Sequence, residues 1–324
     1  MLVDAVKDLR PSVHPATYSL YGINVRSPWF LPSAETIFPA LATIDLFAGS
    51  SKLFANALDD AEAKLSPSQW DYYALLRNGA EYVRWNGLFD FIISARGNSI
   101  AARRLPGASW ETFHTYLLGH VLSYALLKLG IEHLHATVVV IEEKAVGFLG
   151  HCSYGKSTLG AAFLQAGCQL LTDDLLVVDD ESTRLLAYPG VPRIKLFPEI
   201  AHALLGTQAS GTPMNPFTQK LVIPLKPNQI SRQPKHLSAL YVLEAPTVKT
   251  SEQGVRINKL NRREVFLSLI SNTFNTQVSR PNRLADQFAM ATTLSNSLPI
   301  KSLSYPHDLS ALPEVVKTIR AHLP

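Results

Sequence analysis

The sequence predicts an α/β core preceded by a smaller mixed α+β domain, and three observations point that way. A glycine-containing loop joins an apolar strand to a helix between Ala145 and Ala166. Strand-like runs flank that unit at His135–Ile141 and Gln169–Val178. Ahead of it, short β-rich runs alternate with helical spacing and show no such order. With 324 residues, 47% of them hydrophobic and 17% charged, the chain has apolar material for a core in each of two domains. We expect an N-terminal domain over residues 1–110, serving packing or substrate recognition, and a catalytic core over residues 111–324.

Tyr18–Val25 (YSLYGINV) and Phe89–Ala95 (FDFIISA) read as strands, and Arg96-Gly97-Asn98-Ser99 marks a turn. Pro28, Pro32 and Pro39 break up the segment between Arg26 and Ala40. Ser66–Arg77 has helical spacing. So does Trp110–Leu129, where Phe113, Leu117, Val121, Leu126 and Leu127 form an apolar stripe that Gly130 ends. His135–Ile141 is a strand, Glu142–Lys144 a turn and Ala145–Leu149 a second strand. Ser157–Ala166 is a helix stopped by Gly167, and Gln169–Leu171 begins a strand that resumes at Leu175–Val178. After Tyr188-Pro189-Gly190 the chain is proline-rich, and Gly206–Gln219 reads as a mobile loop suited to a substrate lid. Leu240–Leu243 and Ile300–Ser304 are strands, while Arg263–Ser271, Leu284–Ser297 and Leu312–Leu323 are helices.

Composition narrows the function. The net charge of +4 comes from 30 basic and 26 acidic residues without a basic block, so no nucleic-acid partner is expected. The most apolar stretch, Tyr116–Ile141, is interrupted by His120, Lys128, Glu132, His133 and His135, which argues against a membrane span. Met1–Pro15 is charged throughout and lacks the apolar run of a signal peptide. Cys152 and Cys168 are poorly placed for a disulfide, so a reducing, cytoplasmic setting is expected. The sequence leaves open whether the chain forms a homo-oligomer.

Gly150-His151-Cys152-Ser153-Tyr154-Gly155-Lys156-Ser157 matches G-x-x-x-x-G-K-[ST] at every fixed position, and Thr158 continues into the helix. The glycines let the backbone curl so that successive N–H groups point at phosphate oxygens, and the helix N-terminus faces the same anion. Lys156 can reach the β- and γ-oxygens, and the Ser157 hydroxyl can ligate Mg²⁺. The pattern follows an apolar strand and opens a helix, the context in which it binds ATP or a similar nucleotide.

Asp173-Asp174 lies one helix and one turn beyond Lys156, so its strand could run beside the phosphate-loop strand. One carboxylate would then serve Mg²⁺ and the other accept a proton from an attacking hydroxyl. Adjacent strand residues face opposite ways, which suits two roles. Asp179-Asp180 reads as a solvated turn. His135 would approach the phosphates if its strand neighbours the loop strand, although a lone His beside an apolar run is often structural. Arg193, with Lys195 in Val191-Pro-Arg-Ile-Lys-Leu196, could clamp a phosphate or be a surface charge on an amphipathic strand.

These residues together resemble HPr kinase/phosphorylase and its divergent relatives. The likeness runs from His135 through the phosphate loop to Gly167 and Asp173-Asp174, and continues in Tyr188–Glu199, Lys220–Pro224 and Leu303–His307. It covers residues 110–324, with weaker similarity at Tyr18–Pro32. The resemblance implies a fold of the HPr kinase/phosphoenolpyruvate-carboxykinase type and Mg²⁺-dependent transfer from ATP to a serine hydroxyl. Asp173 would be the base, Asp174 and Ser157 would hold the metal, and His135, Lys156 and Arg193 would belong to the catalytic set. Two departures separate this chain from the enzymes that act on HPr: Thr158 stands where they usually carry Glu, and their glycine-rich signature has no clear counterpart. The expected partner is therefore another peptide or protein, in the manner of relatives that modify precursors of ribosomal natural products such as lasso peptides. A small hydroxylated metabolite as acceptor, or an ATP-binding regulatory module without transfer, are the alternatives.

Overall fold

The computed structural model describes residues 15–33, 39–61, 70–181, 184–245, 254–275 and 282–323. The chain forms two compact units, Met1–Ile131 and Glu132–Pro324. The protein is a mixed α/β chain with several sheets.

In the first unit, β1 (Ala16–Leu20) and β2 (Ile23–Ser27) form a hairpin that turns at Tyr21-Gly22, both in left-handed backbone. The single strand expected over Tyr18–Val25 is therefore two. β3 (Ala42–Ala48) runs parallel to β2, and α1 (Ser51–Asp60) comes next, capped by the Ser50 hydroxyl accepting from the Leu53 amide. β4 (Asp71–Leu75), β5 (Glu81–Trp85), β6 (Phe89–Ile93) and β7 (Ser99–Arg104) complete a seven-stranded sheet in the order β1-β2-β3-β7-β6-β5-β4.

β4 corrects the helix expected over Ser66–Arg77. Residues 66–69 lie outside the described set, and Asp71–Leu75 alternates buried Tyr72 and Ala74 with exposed Asp71 and Leu75 while pairing with β5. A period of two with a cross-strand partner outweighs local helical spacing. Trp110–Lys128 is helical as expected: α2 (Trp110–Tyr116), a π-helical turn over Leu117–Val121, and α3 (Leu122–Lys128). Ser109 caps its start, and Gly130, at φ +81°, lies just past its end. Phe113 stacks on Phe91 at 5.6 Å and meets Trp29 edge-on at 5.5 Å, which ties the helix to the first unit's aromatic core. The division therefore falls after Ile131, not after residue 110.

The second unit begins with β8 (Leu134–Ile141) and β9 (Lys144–Leu149), a hairpin turning at left-handed Glu142-Glu143. Then come α4 (Lys156–Gln165), β10 (Gln169–Leu176), β11 (Val178–Glu181), β12 (Arg184–Ala187) and β13 (Arg193–Leu196). Beyond these lie α5 (Pro198–Leu205), β14 (Thr212–Pro213), β15 (Leu221–Pro224), β16 (Lys235–Leu243) and β17 (Arg256–Lys259). The chain closes with α6 (Arg262–Ser271), α7 (Arg283–Ser297), β18 (Ile300–Ser304) and α8 (Leu312–Ala321).

The main sheet runs β10-β8-β9-β16-β12-β11, with β18 joining β16 and β17 joining β18. Alternation along the strands separates two apolar layers. Val139, Ile141, Val146 and Phe148 pack with Leu159 and Phe163 of α4 and Val315 and Ile319 of α8. Val138, Val140, Ala145 and Leu149 pack instead with Leu269 of α6 and Leu294 of α7. A smaller sheet, β13-β15-β14, takes in Thr212–Pro213, so part of the loop expected over Gly206–Gln219 is paired backbone. Among the described residues no helix is long and apolar enough to cross a membrane.

Candidate functional site

Three sequence features place the loop and its neighbours. β9 is apolar enough to lie inside the sheet, with Ala145, Val146, Phe148 and Leu149 all buried, and it ends at Gly150. Gly155, at φ +94°, forms the N-cap of α4; a Cβ there would stand 2.9 Å from the Tyr305 hydroxyl. Gly160, one turn into α4, lets the helix lie close on β8, since a Cβ there would come within 2.6 Å of the Thr137 methyl. That close approach brings the first turn of α4 over Thr137 and over Asp173, which β10 places opposite Thr137.

The polar contacts arise from this packing. The Ser157 hydroxyl donates to Asp173 Oδ1 at 2.9 Å, and the Thr137 hydroxyl donates to the same oxygen at 2.5 Å. The backbone amide of Lys195 donates to Asp173 Oδ2 at 3.0 Å. The Lys195 ammonium instead holds Asp174, at 2.6 Å from Oδ1 and 2.5 Å from Oδ2, and an Arg193 Nη stands 4.0 Å from the same carboxylate. Lys156 is buried and donates to the loop's own carbonyls, Gly150 O at 2.5 Å and His151 O at 3.2 Å. No side chain caps α4, so the first amides of that helix point into the loop without a side-chain acceptor.

Burial and neighbours set the charge states. Burial opposes the charge of Asp174, but the Lys195 ammonium and the Arg193 guanidinium outweigh it and hold the carboxyl below its ordinary range. Burial lowers Lys156 from the usual ammonium range, against the pull of Asp173. Burial, with Lys156 next in size, pushes His135 down to about 3, so its imidazole is neutral at physiological pH. The His135 ring meets Phe274 edge-on at 5.1 Å, and its backbone amide donates to Asn272 O at 2.7 Å.

No protein-family model matches this chain, and no curated protein matches it either. Among solved structures, the Hpr(Ser) kinase/phosphatase from Coxiella burnetii is similar at 16% identity, over 59% of this chain and 89% of that one, with a TM-score of 0.31. That score is too low to bear on function, and the site stands on its own geometry.

Set against the sequence expectations, the loop Gly150–Thr158, Lys156, Ser157, Asp173, Asp174, Arg193 and His135 all fall within one neighbourhood of the second unit. One expectation is corrected. β10 does not run beside the loop strand, because β8 lies between them, antiparallel to both. The carboxylate that meets Ser157 directly is Asp173, because α4 covers the sheet face that carries Thr137 and Asp173. The Cys152 side chain is exposed within the loop, and His151 meets Tyr154 edge-on at 5.3 Å.

Sequence reasoning missed three contributors. Asn272, just past the end of α6, accepts from the Gly150 amide at 2.7 Å and so braces the loop's first residue. Thr137 shares Asp173 with Ser157, and Tyr305 stacks on His307 beside Gly155 at 5.3 Å. Asn272 and Tyr305 lie well over a hundred residues from the loop; no local pattern marks Asn272, and Leu303–His307 carried a resemblance but no role for Tyr305. Thr137 carried a legible signal, since an isolated Thr inside HATVVVI interrupts an apolar run.

Proposed function

We propose that this chain is a Mg²⁺-dependent phosphotransferase that moves the γ-phosphoryl group of ATP to a hydroxyl, most simply a serine of a peptide or protein. The observation that carries this reading is the 2.9 Å contact between Ser157 at the start of α4 and Asp173. The loop supplies the anion cradle, with the unclaimed first turn of α4 directed at the phosphates. Lys156 exchanges its contacts with Gly150 O and His151 O for the β- and γ-oxygens.

The donor chemistry suits a hard cation. The Ser157 hydroxyl would hold Mg²⁺ together with substrate phosphates, with Asp174 near enough to serve it through water, so that Asp173 is left to act as base. Among the described residues no group of three or more His, Cys, Asp or Glu is placed to hold a metal by itself, in keeping with an ion that arrives with the nucleotide. Bound there, Mg²⁺ would neutralise charge on the β- and γ-phosphates.

Asp173 accepts the proton of the attacking hydroxyl as that oxygen bonds to the γ-phosphorus and the bond to the β–γ bridging oxygen breaks, leaving ADP. Asp174 keeps Lys195 and Arg193 in place, so that two cations flank the transferring group. His135, neutral, adds no positive charge and is available as a hydrogen-bonding ring.

Transfer from γ-labelled ATP with Mg²⁺ to a panel of serine-containing peptides and proteins tests this proposal, with Lys156→Ala as the control. A labelled acceptor that vanishes in the variant supports it. Mg-ATP binding without transfer to any acceptor, small hydroxylated metabolites included, would leave a nucleotide-gated regulatory module as the better account.

A further inference from the structure

A second cavity in the Glu132–Pro324 unit lies outside the site described above. It is a cleft of about 680 Å³ between the α6–α7 pair, the end of β17 and the start of β18. Its floor is apolar, from Phe266, Phe288 and Leu298, and its rim carries three cations, Lys259, Arg262 and Lys301. Among the described residues that line it there is no carboxylate. Phe266 and Phe288 meet at 5.4 Å, yet Phe288 remains 58% exposed and Leu284, one turn earlier on α7, is 70% exposed. Large apolar side chains so exposed beside a cationic rim mark a surface built for a partner.

We propose that this cleft docks an extended acidic peptide segment whose apolar side chains enter between Phe266 and Phe288 while its carboxylates meet Lys259, Arg262 and Lys301. Charge selects the occupant: three cations, with no carboxylate among the described lining residues, favour a negative partner and disfavour a basic one. The strand edge selects its form. Among the described residues β17 pairs only with β18, so its outer backbone groups are placed to pair with an added strand.

The position also suits a docking segment on either side of a modified residue. β18 begins in the cleft at Ile300 and Lys301, and its end delivers Tyr305 beside Gly155. A strand of that length spans roughly 16 Å, which an extended peptide of about five residues covers. The role as a substrate-docking site rests on the phosphotransferase proposal; peptide binding itself does not.

The test uses the full chain and a fluorescein-labelled peptide that alternates Glu with Leu or Phe, beside its counterpart with Lys in place of Glu. Fluorescence anisotropy is expected to show binding of the acidic peptide alone, weakening as salt is raised. The pair Lys259→Glu and Arg262→Glu, both exposed positions, is expected to weaken that binding by about tenfold or more. Phe288→Ser is expected to weaken it without changing the salt dependence, and Lys156→Ala to leave it unchanged. Equal binding of both peptides, no binding, or full binding by the charge-reversed variant would overturn the proposal. So would self-association of the chain that buries the cleft and excludes the peptide. If wild-type protein binds the acidic peptide selectively but neither binds nor turns over Mg-ATP, the docking cleft stands and the kinase reading falls. If it turns over Mg-ATP and charge reversal costs neither transfer nor peptide affinity, the kinase reading stands and the docking cleft falls.

Discussion

Each unit of this protein buries a cluster of charges, and the two clusters are built differently. In the first unit Asp90 is fully buried. It accepts from the Tyr82 hydroxyl at 2.7 Å and the Arg103 Nε at 2.9 Å, and Arg84 Nε lies 2.9 Å away. Its partners are fixed side chains on neighbouring strands of one sheet. In the second unit Lys156 donates to carbonyls of its own loop, and Ser157 and Asp173 satisfy one another. On the proposed reading, a nucleotide and its cation replace those contacts. Buried charge alone therefore does not mark a site; what distinguishes one is a set of hydrogen bonds that a phosphate and its cation can replace.

The comparison is sharpest in its largest expected effect. Lys156→Ala or Asp173→Asn should lower phosphoryl transfer by roughly two to four orders of magnitude with little change in thermal unfolding, read by labelled transfer beside calorimetry. A large loss of stability with either variant would move that cluster into the structural class. Asp90→Ala should do the reverse. It leaves two guanidinium groups without their carboxylate and should cost about 3 kcal/mol in denaturant unfolding, at the low end of the buried range because both are partly exposed. Nucleotide affinity measured below the unfolding transition should stay within about twofold, the spread expected of sites that share no partner.

The unfolded chain protonates His135 near its ordinary value of 6.5, whereas the folded chain resists until about 3. Protons thus bind the unfolded state more readily in that window, and stability falls as pH drops through it. The loss should reach about 2 kcal/mol near pH 5, and His135→Gln should flatten that part of the stability–pH curve. An unchanged slope in the variant would show that His135 titrates normally. The smallest effect belongs to Gly155→Ala. Its left-handed backbone and the nearby Tyr305 hydroxyl should cost about 1 kcal/mol of stability. ATP affinity should fall further than that, because the same residue shapes the loop.

The strand–loop–helix unit was legible because its pattern is local. Two glycines, Lys156 and Ser157 sit between an apolar strand and a helix, and backbone geometry over a few residues needs nothing from the rest of the chain. The helix at Trp110–Lys128 and the strands β8, β9, β16 and β18 were legible for a similar reason, since each carries its apolar residues within one short stretch of chain. The segment before Arg77 was misread because Tyr72 and Ala74 face a core supplied by β5 and α1, which local spacing cannot register.

The sequence alone determined that a phosphate-loop pattern opens a helix, that a pair of aspartates lies at strand distance beyond it, and that apolar material suffices for two cores. Tertiary structure decided which aspartate meets Ser157, that β8 separates β10 from the loop strand, and that Asn272 braces Gly150 from across the unit. It also decided that Lys195 reaches Asp174 ahead of Arg193. The reason is physical. A loop's conformation is set by its own φ and ψ preferences, whereas the neighbour of a strand and the partner of a carboxylate are set by pairing and close packing between residues far apart in the chain.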